Sequence, residues 1–267
     1  MSLISKKNQM VSIKKLSFLL CLFLMAFYIA VSCQIILDPS TKNKEHKVAL
    51  YLTFDDGPCA GSIEVNLITI SDSIKVNVFI IGSHVFLNDT MKSYYQSYLN
   101  NPFIEIGNHS FSHANGKYRK YYENPSLVMK DFLMNEDTLH LKNKIARLPG
   151  RNIWRLKKRS RDDFAGGNAA ADSLAERKYS VFGWDIEWLY NMELSEEDTS
   201  NEMVAMIENM LKQKTSLRQW NIVILCHDQM LENKYDKDAL QLFIRKIKDK
   251  KNYSFEHLSD YPKSLSN

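Results

Sequence analysis

Apolar runs and helix-period patterns alternate along the chain after residue 47. Short apolar runs predict strands at residues 48–54, 76–82, 103–109, 145–148, 179–184, 221–225 and 253–258. Stretches with apolar residues every three to four positions predict helices at residues 63–74, 90–99, 126–141, 169–178, 202–214 and 238–250. Such alternation predicts an α/β fold with a parallel sheet. Because no early Gly-x-Gly-x-x-Gly follows a strand, a barrel is favoured over a dinucleotide-binding fold.

The pattern also bounds the domain organisation. The chain has 267 residues, and no Pro/Gly/Ser-rich linker or internal repeat divides them. We therefore predict one catalytic domain at residues 48–267, preceded by a polar spacer at residues 34–47.

Residues 1–33 have a different pattern. Four lysines precede an uncharged apolar run at residues 16–31, which is typical of an export signal or a membrane anchor. Ala-Val-Ser-Cys at residues 30–33 resembles a bacterial lipobox, in which Cys33 would carry the lipid. An uncleaved anchor and an ordinary cleavage site remain alternatives. Each interpretation predicts export to the cell envelope, the periplasm or the extracellular space.

Net charge changes little in this picture. The formal charge of +4 comes from 35 basic and 31 acidic side chains, and residues 1–33 contribute four lysines and no acidic residue. The remaining chain is therefore neutral. This balance gives no indication of nucleic-acid binding.

Candidate chemistry lies at the ends of two predicted strands. Asp55 and Asp56 follow the first strand, and His109 and His113 follow the third. The carboxyl ends of parallel strands carry the chemistry in barrels. One carboxylate and two imidazoles suit Zn²⁺ or a similar divalent ion and leave coordination positions open for water and a substrate carbonyl. These residues predict a mononuclear metal hydrolase.

Five short segments occur in a specific order. They are Thr-Phe-Asp-Asp-Gly-Pro at 53–58, Gly-Asn-His-Ser-Phe-Ser-His at 107–113, Arg-Leu-Pro-Gly at 147–150, Trp-Asp-Ile-Glu-Trp at 184–188 and Ile-Leu-Cys-His-Asp at 224–228. The set resembles the motifs of the NodB-type polysaccharide deacetylases, carbohydrate esterase family four. The first, second and fifth segments match closely, whereas the third and fourth depart from the usual pattern.

The resemblance implies a fold and a set of roles. The fold would be a distorted (β/α)7 barrel. Asp56, His109 and His113 would bind the metal, and Asp55 would act as the general base toward the attacking water. The metal would be divalent, with zinc favoured and cobalt, nickel, manganese or iron possible.

Three further residues receive roles from the same comparison. Arg147 would keep Asp55 ionised, and His227 would be the general acid that protonates the leaving amine. The family usually has an aromatic residue at the position of Gly150. Glycine still offers its backbone N–H to an oxyanion, but it has no ring to shape the groove.

The fourth motif leaves one role open between two acids. Asp185 and Glu187 share a strand face, and either would orient His227; Asp185 is favoured. Trp188 and Leu225 would line a pocket for the acetyl methyl group, although side chains at such positions are also typical of a core.

A basic stretch at residues 151–161 follows the third motif and contains Trp154. It suggests a grip on an acidic glycan, with Trp154 stacking on a sugar ring, although a solvated loop is the commoner meaning of such a run. Cys59 and Cys226 each lie beside a predicted site residue. An oxidising compartment permits a disulfide between them, but two buried thiols are the favoured interpretation.

The sequence therefore favours a metal-dependent hydrolase that removes N-acetyl groups from a polysaccharide containing N-acetylglucosamine or N-acetylmuramic acid, such as peptidoglycan or a chitin-like polymer. The alternatives are an O-acetyl esterase acting on a glycan and a non-catalytic glycan-binding lipoprotein. The expected partners are an acetylated glycan and, through the amino terminus, a membrane. A monomer is expected.

Overall fold

The computed structural model describes residues 46–188 and 193–262. The predicted signal or anchor and the part of the predicted spacer before residue 46 lie outside the described residues. Within the described ranges, no helix combines the length and apolar character needed to cross a membrane.

The described residues contain one ten-stranded sheet. Its strands are β1 (Val48–Gly57), β2 (Val76–Ile80), β3 (Ile104–Asn108), β4 (Ile145–Ala146), β5 (Trp154–Leu156), β6 (Arg159–Arg161), β7 (Ser180–Val181), β8 (Ile186–Glu187), β9 (Asn221–His227) and β10 (Tyr253–Phe255). The order across the sheet is β6-β5-β7-β4-β3-β2-β1-β9-β8, and β10 pairs with the start of β1. All pairs along this path are parallel except those of β5 with β6 and with β7.

Helices connect most of the parallel strands. They are α1 (Ser62–Asp72), α2 (Gly82–Val85), α3 (Asp89–Asn100), α4 (Tyr118–Tyr122), α5 (Pro125–Leu139), α6 (Asn168–Glu176), α7 (Glu196–Gln213) and α8 (Lys234–Lys248). A 3₁₀ turn, His113–Gly116, follows β3, and another, Asp228–Glu232, follows β9.

Alternation along β1 separates a helix-facing side from an inner side. Leu50, Leu52 and Phe54 belong to a core cluster that also contains residues of α1 and α8. Tyr51 belongs to a second, mainly aromatic cluster with residues from β2, β5 and β9. Because side chains alternate with period two, Thr53 and Asp55 share the face of Tyr51. The strand therefore carries its polar residues on the inner side of the curved sheet, toward its carboxyl end.

The predicted α/β fold class is confirmed, and the sheet is curled into an open, distorted barrel. Two helices begin earlier than their apolar patterns indicate. The α7 helix starts after Ser195, whose side chain accepts from the N–H of Asp198, and α8 starts after Asn233, whose side chain accepts from the N–H of Asp236. Polar capping residues and acidic first turns extend both helices beyond the apolar stretch that identified them.

Candidate active site

The carboxyl ends of the central strands meet at one pocket. It has a volume of about 190 Å³. Asp55 and Asp56 come from the end of β1, His109 follows β3, and His227 ends β9. Asp55 and His227 are also direct neighbours in the pairing of β1 with β9. Among the described residues, the lining consists of Asp55, Asp56, His109, His113, Tyr118, Gly150, Trp184, Glu187, Leu225 and His227.

An irregularity in β1 brings two consecutive carboxylates into this pocket. Neighbouring side chains in a regular strand point to opposite faces. Here the register with β2 shifts between Asp55 and Gly57, and Asp56 has a φ of 71°, in the left-handed region. Bulges and left-handed residues redirect side chains at sites of this kind. Both Asp55 and Asp56 therefore line the pocket.

Three side chains form a candidate metal centre. Asp56 Oδ1 lies 3.2 Å from His109 Nε2 and 3.1 Å from His113 Nε2. The ligand atoms of the three residues all lie within 4.8 Å of one another. His109 Nδ1 lies 2.9 Å from the carbonyl oxygen of Arg147, which can only accept, so Nδ1 carries the proton. The lone pair on Nε2 then faces Asp56.

This arrangement fits a cation. Asp56 Oδ1 is buried and has no hydrogen-bond partner among the described residues. A carboxylate oxygen beside an imidazole lone pair is unfavourable unless a positive charge lies between them. One oxygen and two nitrogens are a common donor set for zinc and neighbouring divalent ions. Asp56, His109 and His113 therefore fit a divalent metal.

Charges around the centre shift its titrating groups. Burial raises the pKa of Asp56, but the two imidazoles outweigh it and hold that pKa well below its usual range. Burial lowers the pKa of His109, whereas Asp55 and Asp56 raise it, and the net shift is upward. Each carboxylate in the pocket therefore favours positive charge beside it.

Arg147 fixes Asp55 from behind. Its Nη1 donates to Asp55 Oδ1 at 2.8 Å and to Thr53 Oγ1 at 2.7 Å. The other nitrogens donate to two backbone carbonyls: Nε to that of Phe182 at 3.2 Å and Nη2 to that of Gly183 at 2.9 Å. Arg147 is fully buried, which lowers its pKa, while Asp55 raises it. The pair fixes the orientation of the Asp55 carboxylate at the pocket floor.

Asp228, next to His227, anchors the end of β9. It is fully buried and accepts hydrogen bonds from the hydroxyls of Ser62 and Tyr98. Burial raises its pKa to about 7, although the two hydroxyls act in the opposite direction. Its carboxylate also lies against Gly57, where a Cβ atom would overlap it. The last residue of β1 and the first residue after β9 are therefore in direct contact.

Comparison with known proteins relates part of the chain to a family. Residues 42–150 match the family described as polysaccharide deacetylase. The match covers 109 of the 267 residues, so this part of the chain is similar to the polysaccharide deacetylase family. This confirms the predicted family and the predicted enzyme class, a deacetylase hydrolase. A search of curated proteins found no match.

Solved structures of deacetylases and esterases share the fold. A CE4 esterase from Streptococcus mutans is 19% identical with a TM-score of 0.62, and the match covers 80% of this chain and 87% of that one. A polysaccharide deacetylase from Bacillus cereus is 22% identical with a TM-score of 0.55, covering 79% and 92%. The catalytic domain of a peptidoglycan N-acetylglucosamine deacetylase from Eubacterium rectale is 19% identical with a TM-score of 0.58, covering 79% and 89%. At these identities the likeness concerns the fold.

The structure corrects one predicted role in the deacetylase pocket. Asp185 does not orient His227, because its two oxygens accept the backbone N–H groups of Leu217 at 2.8 Å and Val223 at 3.0 Å. Burial raises its pKa, and these two N–H groups lower it. Glu187, the other candidate, lines the pocket together with His227. Asp185 therefore holds the backbone, and Glu187 is the fourth-motif acid that shares the pocket with the imidazole.

Two predicted substrate-binding tryptophans are also wrong. Trp154 is fully buried and packs against Phe182 and Tyr261, so it has no face for a sugar. The basic stretch that contains it forms the β5–β6 hairpin, which turns this side chain into the core. Trp188 is likewise buried, against Phe243.

The remaining predicted substrate residues do reach the site, and two aromatic residues join them. Leu225 and Gly150 line the pocket, and so do Trp184 and Tyr118, which the sequence did not indicate. Gly150 has a φ of 61°, and a Cβ there would lie 3.4 Å from the ring of Tyr118. A ring from α4 therefore shapes the groove beside the glycine of the third motif.

The structure also bears on the prediction about the two cysteines. Cys59 and Cys226 are both free thiols, as favoured, but only Cys226 is buried and Cys59 is partly exposed. Burial raises the pKa of each thiol.

Tyr118 Oη lies 3.4 Å from Nδ1 of His113. Tyr118 therefore lies between the groove and the candidate metal centre, and only its position after the second motif could have indicated it.

Proposed function

We propose that the protein is a metal-dependent deacetylase that removes N-acetyl groups from a polysaccharide containing N-acetylglucosamine or N-acetylmuramic acid. The observation that carries this proposal is the pocket itself. A candidate three-ligand metal centre, an Arg147-bound carboxylate and an imidazole line one cavity. The peptidoglycan deacetylase among the structural neighbours supports peptidoglycan as the substrate class.

Asp56, His109 and His113 would hold the metal, with zinc the best fit to the donor set. A divalent ion supplies a Lewis acid for the acetyl carbonyl and lowers the pKa of a water molecule. The His109 side chain is already oriented for this role by its hydrogen bond to the Arg147 carbonyl.

Asp55 would be the general base. It lies in the pocket next to the ligand set, with Oδ2 3.6 Å from His109 Nε2. Its other oxygen accepts a hydrogen bond from Arg147, which leaves Oδ2 to receive a proton from the attacking water. Gly150 lines the pocket, and its backbone N–H would donate to a developing oxyanion.

His227 would be the general acid. It lines the pocket on the strand next to Asp55 and is partly exposed. An amide leaves as an amine only when its nitrogen is protonated, so an N-acetyl substrate depends on this imidazole more than an O-acetyl ester does. Leu225 and Trp184 line the same pocket and would receive the acetyl methyl group.

Export and attachment to the cell envelope are part of the proposal. They rest on the charged and apolar segments of residues 1–33. Cys33 would carry a lipid, which labelling with palmitate tests: wild-type protein would be labelled, and Cys33→Ala would not. A labelled Cys33→Ala variant would exclude this attachment site.

The decisive experiment measures acetate release from chitooligosaccharides, peptidoglycan fragments and O-acetylated xylan. Release is expected to be abolished by a chelator, restored by Zn²⁺ or Co²⁺, and lost in His113→Ala. His140→Asn is the matched control, because His140 is an exposed histidine at the end of α5 with a left-handed backbone that asparagine tolerates.

Two outcomes would contradict the proposal. No acetate from any of these glycans, despite folded and zinc-loaded protein, would favour the non-catalytic binder. Release that is confined to the xylan ester would favour an O-acetyl esterase instead.

A further inference from the structure

The basic stretch at residues 151–161 separates into residues with different surroundings. Arg155 forms ion pairs with Asp162 and Asp172. Arg159 donates to the carbonyl of Leu217, and Arg161 lies 3.9 Å from Asp185. These arginines are committed to holding the β5–β6 hairpin in place.

Arg151 differs from them in its position. It directly follows Gly150, which lines the catalytic pocket. Its guanidinium carbon lies 4.7 Å from the ring centroid of Tyr122 and 5.7 Å from that of Tyr118, another pocket residue. The Tyr122 ring is itself fixed, because its hydroxyl donates to the carbonyl of Pro149 at 2.7 Å. Stacking on two rings preorganises the cation at the pocket rim.

The charge of Arg151 has no acidic partner there. Among the described residues, no carboxylate lies within 4.0 Å of its guanidinium nitrogens. Asp163, on the neighbouring loop, instead accepts the backbone N–H groups of Asn152 and Ala165. An arginine side chain in this position can form a charge-assisted hydrogen bond to a carboxylate of a ligand.

The three guanidinium nitrogens of Arg151 differ in the hydrogen bonds that they form. Nη1 donates to the Gly150 carbonyl at 2.7 Å, and Nε is buried without a partner. Nη2 makes no hydrogen bond within the described residues and is not enclosed. It is therefore the nitrogen that can meet a ligand entering the pocket.

We propose that Arg151 selects glycans that carry a carboxylate on or beside the sugar to be deacetylated. This inference rests on the proposed function, because the glycan must occupy the same pocket. The carboxylate can be the lactyl group of a muramic acid or the acid group of a uronic acid, and the two sources share one recognition chemistry. A charge-assisted hydrogen bond from Nη2, with the positive charge behind it, would favour such substrates over neutral ones.

The test compares kcat/KM on four tetrasaccharides: chitotetraose, a peptide-free peptidoglycan tetrasaccharide, the same molecule with its carboxylates amidated, and a hyaluronan tetrasaccharide. The preference is the ratio of an acidic substrate to its neutral counterpart. We expect Arg151→Gln to lower this ratio about tenfold to a hundredfold, chiefly through KM. Arg151→Lys should retain part of the preference, and Lys158→Gln, in the exposed turn of the same hairpin, is the control for general positive charge.

The amidated substrate completes a double-mutant cycle. If Arg151 meets the carboxylate, amidation and Arg151→Gln should not be additive. An unchanged ratio in Arg151→Gln, or an equal loss on acidic and neutral substrates, would overturn the proposal. The comparison of muramic and uronic substrates identifies the source of the carboxylate.

Failure of the proposed function is distinguishable from failure of this inference. If the wild-type protein releases no acetate from any glycan, the proposed function fails. Titration calorimetry with the same tetrasaccharides then still decides the role of Arg151, because the dissociation constant for the acidic ones should rise about tenfold or more in Arg151→Gln. Equal affinities for acidic and neutral tetrasaccharides would reject it.

Discussion

The two sides of the catalytic pocket are held in different ways. On the metal side, Asp55 is bound by a fully buried Arg147, and His109 is bound by the carbonyl of the same residue. On the acid side, Glu187 is exposed and His227 is partly exposed, while the buried Asp228 anchors the strand end behind them. Buried hydrogen bonds therefore hold the side chains around the candidate metal ligands, whereas the side chains around His227 are accessible to solvent and to a substrate.

Removing Arg147 should break the metal side and have the largest effect. Arg147→Met leaves Asp55 as a buried charge without its partner and removes the donors to two backbone carbonyls. We expect the free energy of unfolding to fall by about 3–5 kcal/mol and acetate release to fall at least about a hundredfold. Denaturant titration and steady-state kinetics measure the two effects.

The control for this variant is Arg177→Met, on an exposed arginine at the end of α6, which should change stability by less than about 0.5 kcal/mol. A loss below about 1 kcal/mol in Arg147→Met would show that the metal side does not depend on this arginine.

Removing His227 should break the acid side alone. In His227→Ala we expect kcat on an N-acetyl substrate to fall about 10²–10⁴-fold, with a smaller loss on an O-acetyl ester. Zinc affinity should change little, because His227 is not one of the three ligands. A parallel loss of zinc binding would contradict the separation of the two sides.

The buried carboxyl of Asp228 gives the acid side a pH-dependent stability. Its pKa is raised from the reference value of 3.8 to about 7, so the folded protein binds an additional proton between about pH 4 and pH 7. Stability from this group is therefore present at low pH and lost as the pH rises through about 7. The loss amounts to about 4 kcal/mol at most.

Asp228→Asn, which cannot ionise, isolates this contribution. The unfolding free energy of the variant minus that of the wild type should rise between pH 4 and pH 8, measured by denaturant titration. A difference that is constant over this range would show that Asp228 does not titrate in the folded protein.

A paired substitution should sharpen the assignment within the fourth motif, with the smallest effects. Asp185→Asn should lower stability by about 1–2 kcal/mol and leave kcat nearly unchanged, because it removes an acceptor of two backbone N–H groups. Glu187→Gln should lower kcat about threefold to tenfold, because it removes the carboxylate that shares the pocket with His227. The reverse outcome would restore Asp185 as the residue that orients His227.

The metal side could be predicted from the sequence because its information is local. Asp55, Asp56, His109 and His113 lie at the ends of apolar strands, and the strand ends of a parallel sheet meet at one edge. One carboxylate and two imidazoles then predict that the site binds a divalent metal ion. The pattern of apolar and polar residues did not predict the left-handed backbone at Asp56, which lets both carboxylates line the pocket.

The acid side was harder because its contacts are distant along the chain. Asp185 and Glu187 are equivalent by alternation, and the choice depends on backbone N–H groups at Leu217 and Val223. The prediction for Trp154 was wrong because the basic residues around it suggested a loop, whereas this stretch forms a hairpin at the edge of the sheet. Tyr118 reaches the groove from a helix about thirty residues before Gly150, a contact that no local pattern encodes.

The contact between Gly57 and Asp228 has a consequence for the exchange of parts among relatives. Any side chain in place of Gly57, the last residue of β1, would overlap the carboxylate of Asp228. The two sides of the pocket are therefore not independent modules, although they come from opposite ends of the domain. In a chimera whose second half brings this aspartate, the first half must therefore bring the glycine.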